Sequence, residues 1–246
     1  MDVTVTTMAN DRPETQGSSS PQPASTWEVA VVAGLIGVLL VALGVPRLIA
    51  AVQALEARGV VWDLYTDARV SPGELAHASA ALAAAEAWTR DGERDGERSL
   101  LLLHQAVVAP AEAAPALWDA AEAAAVSALS VAPGQPSVWA RLADLRERRG
   151  DREGAVRALR MSMLSGSFVP ALMVPRIEQG LRLLPALDHE TLDLLKRQIR
   201  LTWVAHPEFV VTLSARPVAG PLVREALAEL SESELKQFQH QQESKR

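Results

Sequence analysis

The stretch Val138–Met163, VWARLADLRERRGDREGAVRALRMSM, decides the fold class of this protein. Apolar residues recur every three or four positions on both sides of Gly150-Asp151, with arginines and acids between them. That period is typical of amphipathic helices, and Gly followed by Asp favours a tight turn. We therefore predict a helical hairpin here, with its charged side chains on solvated outer faces.

The composition of the whole chain indicates an all-α protein. Alanine dominates long stretches, and only three Phe and one Tyr are present among 246 residues. Alanine has the highest helix propensity and is a poor strand former. The net charge of −6, without a basic patch, argues against nucleic-acid binding, because phosphate binding requires clustered cations.

Part of the hairpin pattern is repeated 34 residues upstream. On the second helices, Ala121, Ala125 and Ala128 align with Ala155, Leu159 and Ser162. On the first helices, Val108 and Ala109 align with Leu142 and Ala143, whereas Gln105 stands at the position of Trp139.

Residues 102–169 resemble two units of the tetratricopeptide repeat, which has this period. The resemblance implies stacked helical hairpins that pack through small residues where helices cross. It assigns the repeat packing to Ala121, Ala125, Ala128, Trp139, Leu142, Ala143, Ala155 and Leu159. Two units do not bury a continuous core by themselves, so we expect flanking helices to complete a domain over residues 71–236.

Local signals place several helix ends. Ser71, Pro72 and Glu74 have the spacing of a capping box, as do Ser231 and Glu234 near the C-terminus. Asp188 is a predicted N-cap. The charged, Gly-containing stretch from Thr89 to Arg98 is expected to be a solvated break between helices.

A membrane helix is predicted over residues 27–52. Val29–Val45 contains no charged residue, Trp27 suits an interfacial anchor, and a span needs about 20 apolar residues. Residues 1–26 read as a disordered tail, residues 53–70 as a linker and residues 237–246 as a frayed tail. The alternatives are a cleaved signal peptide and a buried core helix.

The positions of basic residues bear on orientation. Arg47 and Arg58 follow the predicted span and Arg12 precedes it, which favours a cytoplasmic C-terminal domain at a bacterial inner membrane. Within the predicted helix, Ala30, Gly37, Gly44 and Ala51 are spaced by seven residues. Such small residues allow close approach of a second helix, although glycine is also common in membrane helices.

No catalytic, cofactor-binding or metal-binding pattern stands out in the sequence, and we expect a non-enzymatic protein that needs no cofactor. The chain lacks cysteine, which excludes disulfides and thiolate chemistry. Its histidines lie on separate segments without metal-ligand spacing, and we expect structural roles for them: His77, His104, His189, His206 and His240.

Residues 197–210, RQIRLTWVAHPEFV, resemble a segment of uncharacterised single-pass membrane proteins of alphaproteobacteria. That resemblance, together with the predicted membrane helix, motivates one hypothesis for the function: an enzyme subunit or auxiliary factor in envelope polysaccharide assembly. The repeat pattern favours a different function, a membrane-anchored scaffold or adaptor that binds another protein. A third hypothesis is a structural membrane protein that forms homo-oligomers through its small-residue face.

Overall fold

The computed structural model of the protein describes residues 26–66, 68–228, 230, 238 and 240. Within these residues all regular structure is helical, and no strand is present. The chain divides into two compact units, Met1–Gly44 and Val45–Arg246. The α-helices are α1 Thr26–Tyr65, α2 Pro72–Glu86, α3 Gly92–Val108, α4 Ala114–Val131, α5 Pro136–Arg148, α6 Arg152–Ser165, α7 Pro170–Arg182, α8 His189–Ala205, α9 Pro207–Ser214 and α10 Ala219–Leu227.

Helix α1 is long and apolar enough to cross a membrane, judged by its length and composition, with a mean hydropathy of 2.6 in its most apolar window. It does not end at the predicted linker, because residues 53–65 are helical. There Ala57 and Val61 lie on one helix face and pack in a cluster with Leu75 and Ala78 of α2. This burial explains why most of the expected linker is helix.

The capping predictions at two helix starts are confirmed. The backbone N–H of Glu74 donates to Ser71 Oγ at 3.3 Å, and the N–H of Ser71 donates to Glu74 Oε2 at 2.8 Å. Asp188 caps α8 by accepting from the N–H of Thr191 at 2.7 Å. Both caps satisfy backbone donors that lack a partner within the helix.

The expected break at Thr89–Arg98 is wrong over most of its length, because α3 begins at Gly92 with Asp91 as its N-cap. Gly92 packs closely on α4. A Cβ atom added to Gly92 would lie 2.7 Å from Ala132 Cβ and 2.8 Å from the Ala128 carbonyl oxygen. Glycine is used here for close helix packing and does not form a turn.

The predicted hairpin is confirmed. Helix α5 packs chiefly on α6, and the turn between them contains Gly150 with φ of +83°, the left-handed region that glycine adopts readily. Helices α3 and α4 form a similar pair just before it. One apolar cluster includes buried residues of α3, α4, α5 and α6.

The 34-residue alignment matches buried positions in the second helix of each pair, α4 and α6. It does not match them in the first helix of each pair, α3 and α5. Ala121 and Ala155 are both fully buried at equivalent places in α4 and α6. By contrast, Val108 is exposed at the end of α3, whereas its partner in the alignment, Leu142, is buried in the middle of α5. Helix α3 has 17 residues and α5 has 13. A residue nearer the N-terminus of α3 contacts α4 instead: Ser99 Oγ donates a hydrogen bond of 2.9 Å to the Ala121 carbonyl oxygen.

Helices α7 to α10 enclose a second apolar cluster. Phe238 belongs to it and makes an edge contact with Trp203, with ring centroids 5.4 Å apart, although it lies in the segment expected to fray. The other residues of that segment apart from His240, the capping box at Ser231 and Glu234, and the predicted tail before Thr26 lie outside the described residues.

Candidate protein-binding groove

A groove of about 420 Å³ runs over the hairpin α5–α6 and the end of α4. Three consecutive helices contribute to it because each hairpin stacks beside the next. The lining side chains are mainly apolar: Val126, Leu129, Ser130, Trp139, Leu142, Arg146, Arg157, Ala158 and Met161.

The floor of the groove is fixed by the core, and its rim is exposed. Leu129 and Leu142 are buried in the cluster beneath it. On the rim, Val126 of α4 is 45% exposed and Met161 of α6 is 38% exposed. Adjacent exposed apolar side chains that border a concave surface are typical of binding sites, whereas scattered single ones are ordinary.

Trp139 is the one predicted packing residue that the core does not bury fully. Its indole Nε1 donates to the Pro133 carbonyl oxygen at 2.7 Å, which holds the ring against the loop between α4 and α5. The ring packs on the core on one side and lines the groove on the other. A tryptophan held in this way offers a rigid apolar surface to a ligand.

The lining is basic. Two of the described residues that line the groove are charged, Arg146 and Arg157. No Asp or Glu is among these lining residues. Arg146 Nε lies 3.4 Å from Glu122 Oε1, and Arg157 Nη1 lies 3.5 Å from Glu153 Oε2. The Arg157 pair is exposed, and exposed pairs are weak enough for a ligand carboxylate to compete with them.

Most of the predicted packing residues come together beneath this groove. They are buried in one cluster: Ala121, Ala125, Ala128, Leu142, Ala143, Ala155 and Leu159. The predicted small-residue face of α1 is not buried by the chain. Ala30, Gly37, Gly44 and Ala51 are all exposed, and nothing lies within 4 Å of a Cβ built on Gly37 or Gly44.

A buried cation that the sequence did not reveal positions the end of α6. Arg176 of α7 is fully buried, and its guanidinium donates to Ser162 Oγ at 2.9 Å and to the Gly166 carbonyl at 2.8 Å. Burial lowers its pKa to about 10, so it stays charged at neutral pH. The negative end of the α6 dipole favours a cation there.

The sequence analysis also did not identify the rim residues of the groove. Val126 and Met161 are ordinary members of amphipathic helices, and only the stacking of hairpins decides that they remain uncovered. Within the described part of the chain no group of three or more His, Asp or Glu side chains is placed to hold a metal ion.

Comparison with protein-family models, with curated proteins and with solved structures finds no match for this chain.

Proposed function

We propose that this protein is a membrane-anchored helical adaptor, without catalytic activity, that holds a segment of another protein in the α4–α6 groove. The observation that carries the proposal is the groove itself: an exposed apolar rim above a rigid floor, with arginine as its only charged residue type. Stacked helical hairpins of tetratricopeptide type use such surfaces to bind peptides.

The lining indicates the chemistry of the partner. Val126, Trp139 and Met161 offer contacts to apolar side chains, and Arg146 and Arg157 offer contacts to carboxylates. A volume of about 420 Å³ accommodates a few side chains and not a whole domain. The partner we propose is therefore a short apolar segment flanked by Asp or Glu.

The anchor is helix α1. None of its most apolar window is buried within the chain, which is the opposite of what a core helix requires. We propose that it holds the protein in a bacterial inner membrane with the helical domain on the cytoplasmic side. Confinement to a membrane raises the effective concentration of the adaptor toward partners in that membrane.

A matched pair of variants on one helix tests the groove. Met161→Glu places a carboxylate on the rim, where it repels an acidic partner, and Leu164→Glu places one at an exposed position of α6 outside the groove. Full-length protein is captured from membranes in several mild detergents. We expect wild type and Leu164→Glu to recover the same stoichiometric partner and Met161→Glu to lose it. Equal recovery by both variants, or no partner with wild type, contradicts the proposal.

A further inference from the structure

The part of α1 that follows Val45 is apolar on two opposite faces. One face carries Ala50, Ala57 and Val61, which are buried, and the last two belong to the cluster with α2 and α3. The other face carries Leu48, Val52, Leu55 and Trp62, which are 64%, 56%, 56% and 68% exposed. A helix covered on one side by its own domain therefore presents a second apolar stripe that the described chain does not cover.

The exposed stripe has the spacing of a coiled-coil seam. The core of a coiled coil is formed by positions a and d of a seven-residue repeat. Val45, Val52 and Gly59 are seven residues apart and occupy position a. Leu48, Leu55 and Trp62 each lie three residues after one of these and occupy position d. β-Branched residues at a with leucine at d favour parallel two-stranded coiled coils. Gly59 lacks a side chain and leaves room for the large indole of Trp62.

The charges beside the stripe suit pairing with an identical helix. Arg58 follows the seam at position g and Asp63 lies at position e of the next heptad, five residues later. In a parallel coiled coil, a residue at g of one helix lies opposite the residue at e of the next heptad in the other helix. Arg58 of each copy therefore faces Asp63 of the other copy. Both residues are exposed. Within its own chain Arg58 lies near Glu97 of α3, where burial raises the pKa of the Glu97 carboxyl and the positive charge of Arg58 opposes that rise.

The stripe borders an open cleft. Leu48, Val52, Leu55 and Arg58 line a cleft of about 370 Å³ whose other wall is the beginning of α3. Helix α1 has 40 residues, about twice what a membrane span needs, so the seam begins in the last turns of the predicted span and continues beyond it to Trp62.

We propose that α1 forms a parallel two-stranded coiled coil with α1 of a second copy through the seam Val45, Leu48, Val52, Leu55, Gly59 and Trp62. The occupant is a second copy because the stripe and its flanking charges are complementary to themselves. This pairing uses a different surface from the α4–α6 groove. Its residues differ from those of the small-residue face, whose last member, Ala51, borders the seam in the same cleft; that face consists of Ala30, Gly37, Gly44 and Ala51.

Cross-linking tests the seam, and the natural absence of cysteine makes it direct. Val52→Cys and Leu55→Cys are compared in native membranes with Val204→Cys and Leu164→Cys, which are the same residue types at exposed positions of α8 and α6. Under mild oxidation we expect a disulfide-linked dimer from both seam variants and not from the controls. Equal cross-linking of controls, no dimer from the seam variants, or a product of another mass overturns the proposal.

Charge reversal tests pairing between identical, parallel helices. In the Val52→Cys background, Arg58→Asp and Asp63→Arg should each reduce the dimer yield several-fold, because each places like charges opposite one another. The double variant Arg58→Asp, Asp63→Arg should restore it, provided that all variants keep wild-type resistance to trypsin. Single variants without effect, or a double variant that stays low, contradict the proposed register. Neither result depends on whether Met161→Glu loses a partner at the groove.

Discussion

Arg176 Nε donates a hydrogen bond of 2.9 Å to Ser162 Oγ, and Arg176 Nη2 donates another of 2.5 Å to the Ser162 carbonyl. One fully buried guanidinium thus joins α7 to the C-terminal end of α6. The carbonyls of a helix end lack donors within the helix, and this guanidinium supplies them at the end of α6.

Replacing the buried arginine should destabilise the protein strongly. Arg176→Met keeps much of the side-chain volume but leaves the Ser162 and Gly166 carbonyls without these donors, at a cost of about 3 kcal/mol. The measurement is urea unfolding of full-length protein in detergent, followed by tryptophan fluorescence. Arg197→Met, at an exposed position of α8, is the control and should unfold like wild type. Similar unfolding midpoints for the two variants would show that the buried hydrogen bonds contribute little.

Enlarging the small residues of the second helices should also reduce stability. Ala155→Leu and Ala121→Leu each force a larger side chain into a fully buried place, and we expect a loss of about 1–3 kcal/mol. Ala123→Leu is the matched control, because Ala123 is exposed on the same helix as Ala121. The same unfolding measurement applies. If the buried and exposed alanines respond alike, the close packing of α4 and α6 at these two positions is contradicted.

Gly92 should not tolerate a methyl group. In Gly92→Ala the new Cβ would lie 2.8 Å from a backbone oxygen of α4, so the helix has to move, and we expect a lower melting temperature. Gly73→Ala in α2 meets only an ordinary contact of 4.0 Å with Ser71 Oγ and should be neutral or slightly stabilising. A Gly92→Ala protein that melts at or above the wild-type temperature would contradict the close packing of α3 on α4.

His104 should make stability depend on pH. Burial, and then the positive charge of Arg141, lower the pKa of His104 below its ordinary value of 6.5. The unfolded chain therefore takes up a proton first as the pH falls, so this contribution is present above pH 6.5 and is lost below it, as pH falls toward the folded pKa. His104→Gln removes the effect. Wild type should lose stability relative to His104→Gln between pH 7.5 and pH 5.5, and parallel profiles would contradict the prediction.

The features that sequence predicts well here are local. Ser71 and Glu74 satisfy one another's backbone groups within three residues, and Gly150 alone supplies the left-handed turn of the hairpin. The burial of Ala121 and Ala155 follows from helical period and small size. Such signals require no knowledge of distant contacts.

The start of α3 shows why other features of the fold could not be predicted from the sequence. Gly92 and Gly96 with surrounding charges are typical of a loop, yet distant residues make this segment helical and buried. Gln135 Nε2 donates to the Gly92 carbonyl at 2.9 Å, and Arg141 Nη1 donates to the Gly96 carbonyl at 2.7 Å. These partners are more than 40 residues away, and no local pattern contains them.

The groove and the seam were missed for a related reason. Val126, Met161 and Leu55 differ in no sequence property from apolar residues that the core buries. Their exposure depends on which helix faces remain after stacking, and a sequence pattern shows that a face is apolar without showing what covers it.

Photo-cross-linking in intact membranes tests the proposed binding most directly. A photoreactive phenylalanine is introduced at Met161 on the groove rim or at Leu164 outside it, in the full-length protein at its natural level of expression. The adaptor function predicts one adduct of defined mass from position 161 and none from position 164, with the adduct lost when Arg146 and Arg157 are both changed to Glu. The same adducts from both positions, or none from position 161, would contradict a protein-binding role for this groove.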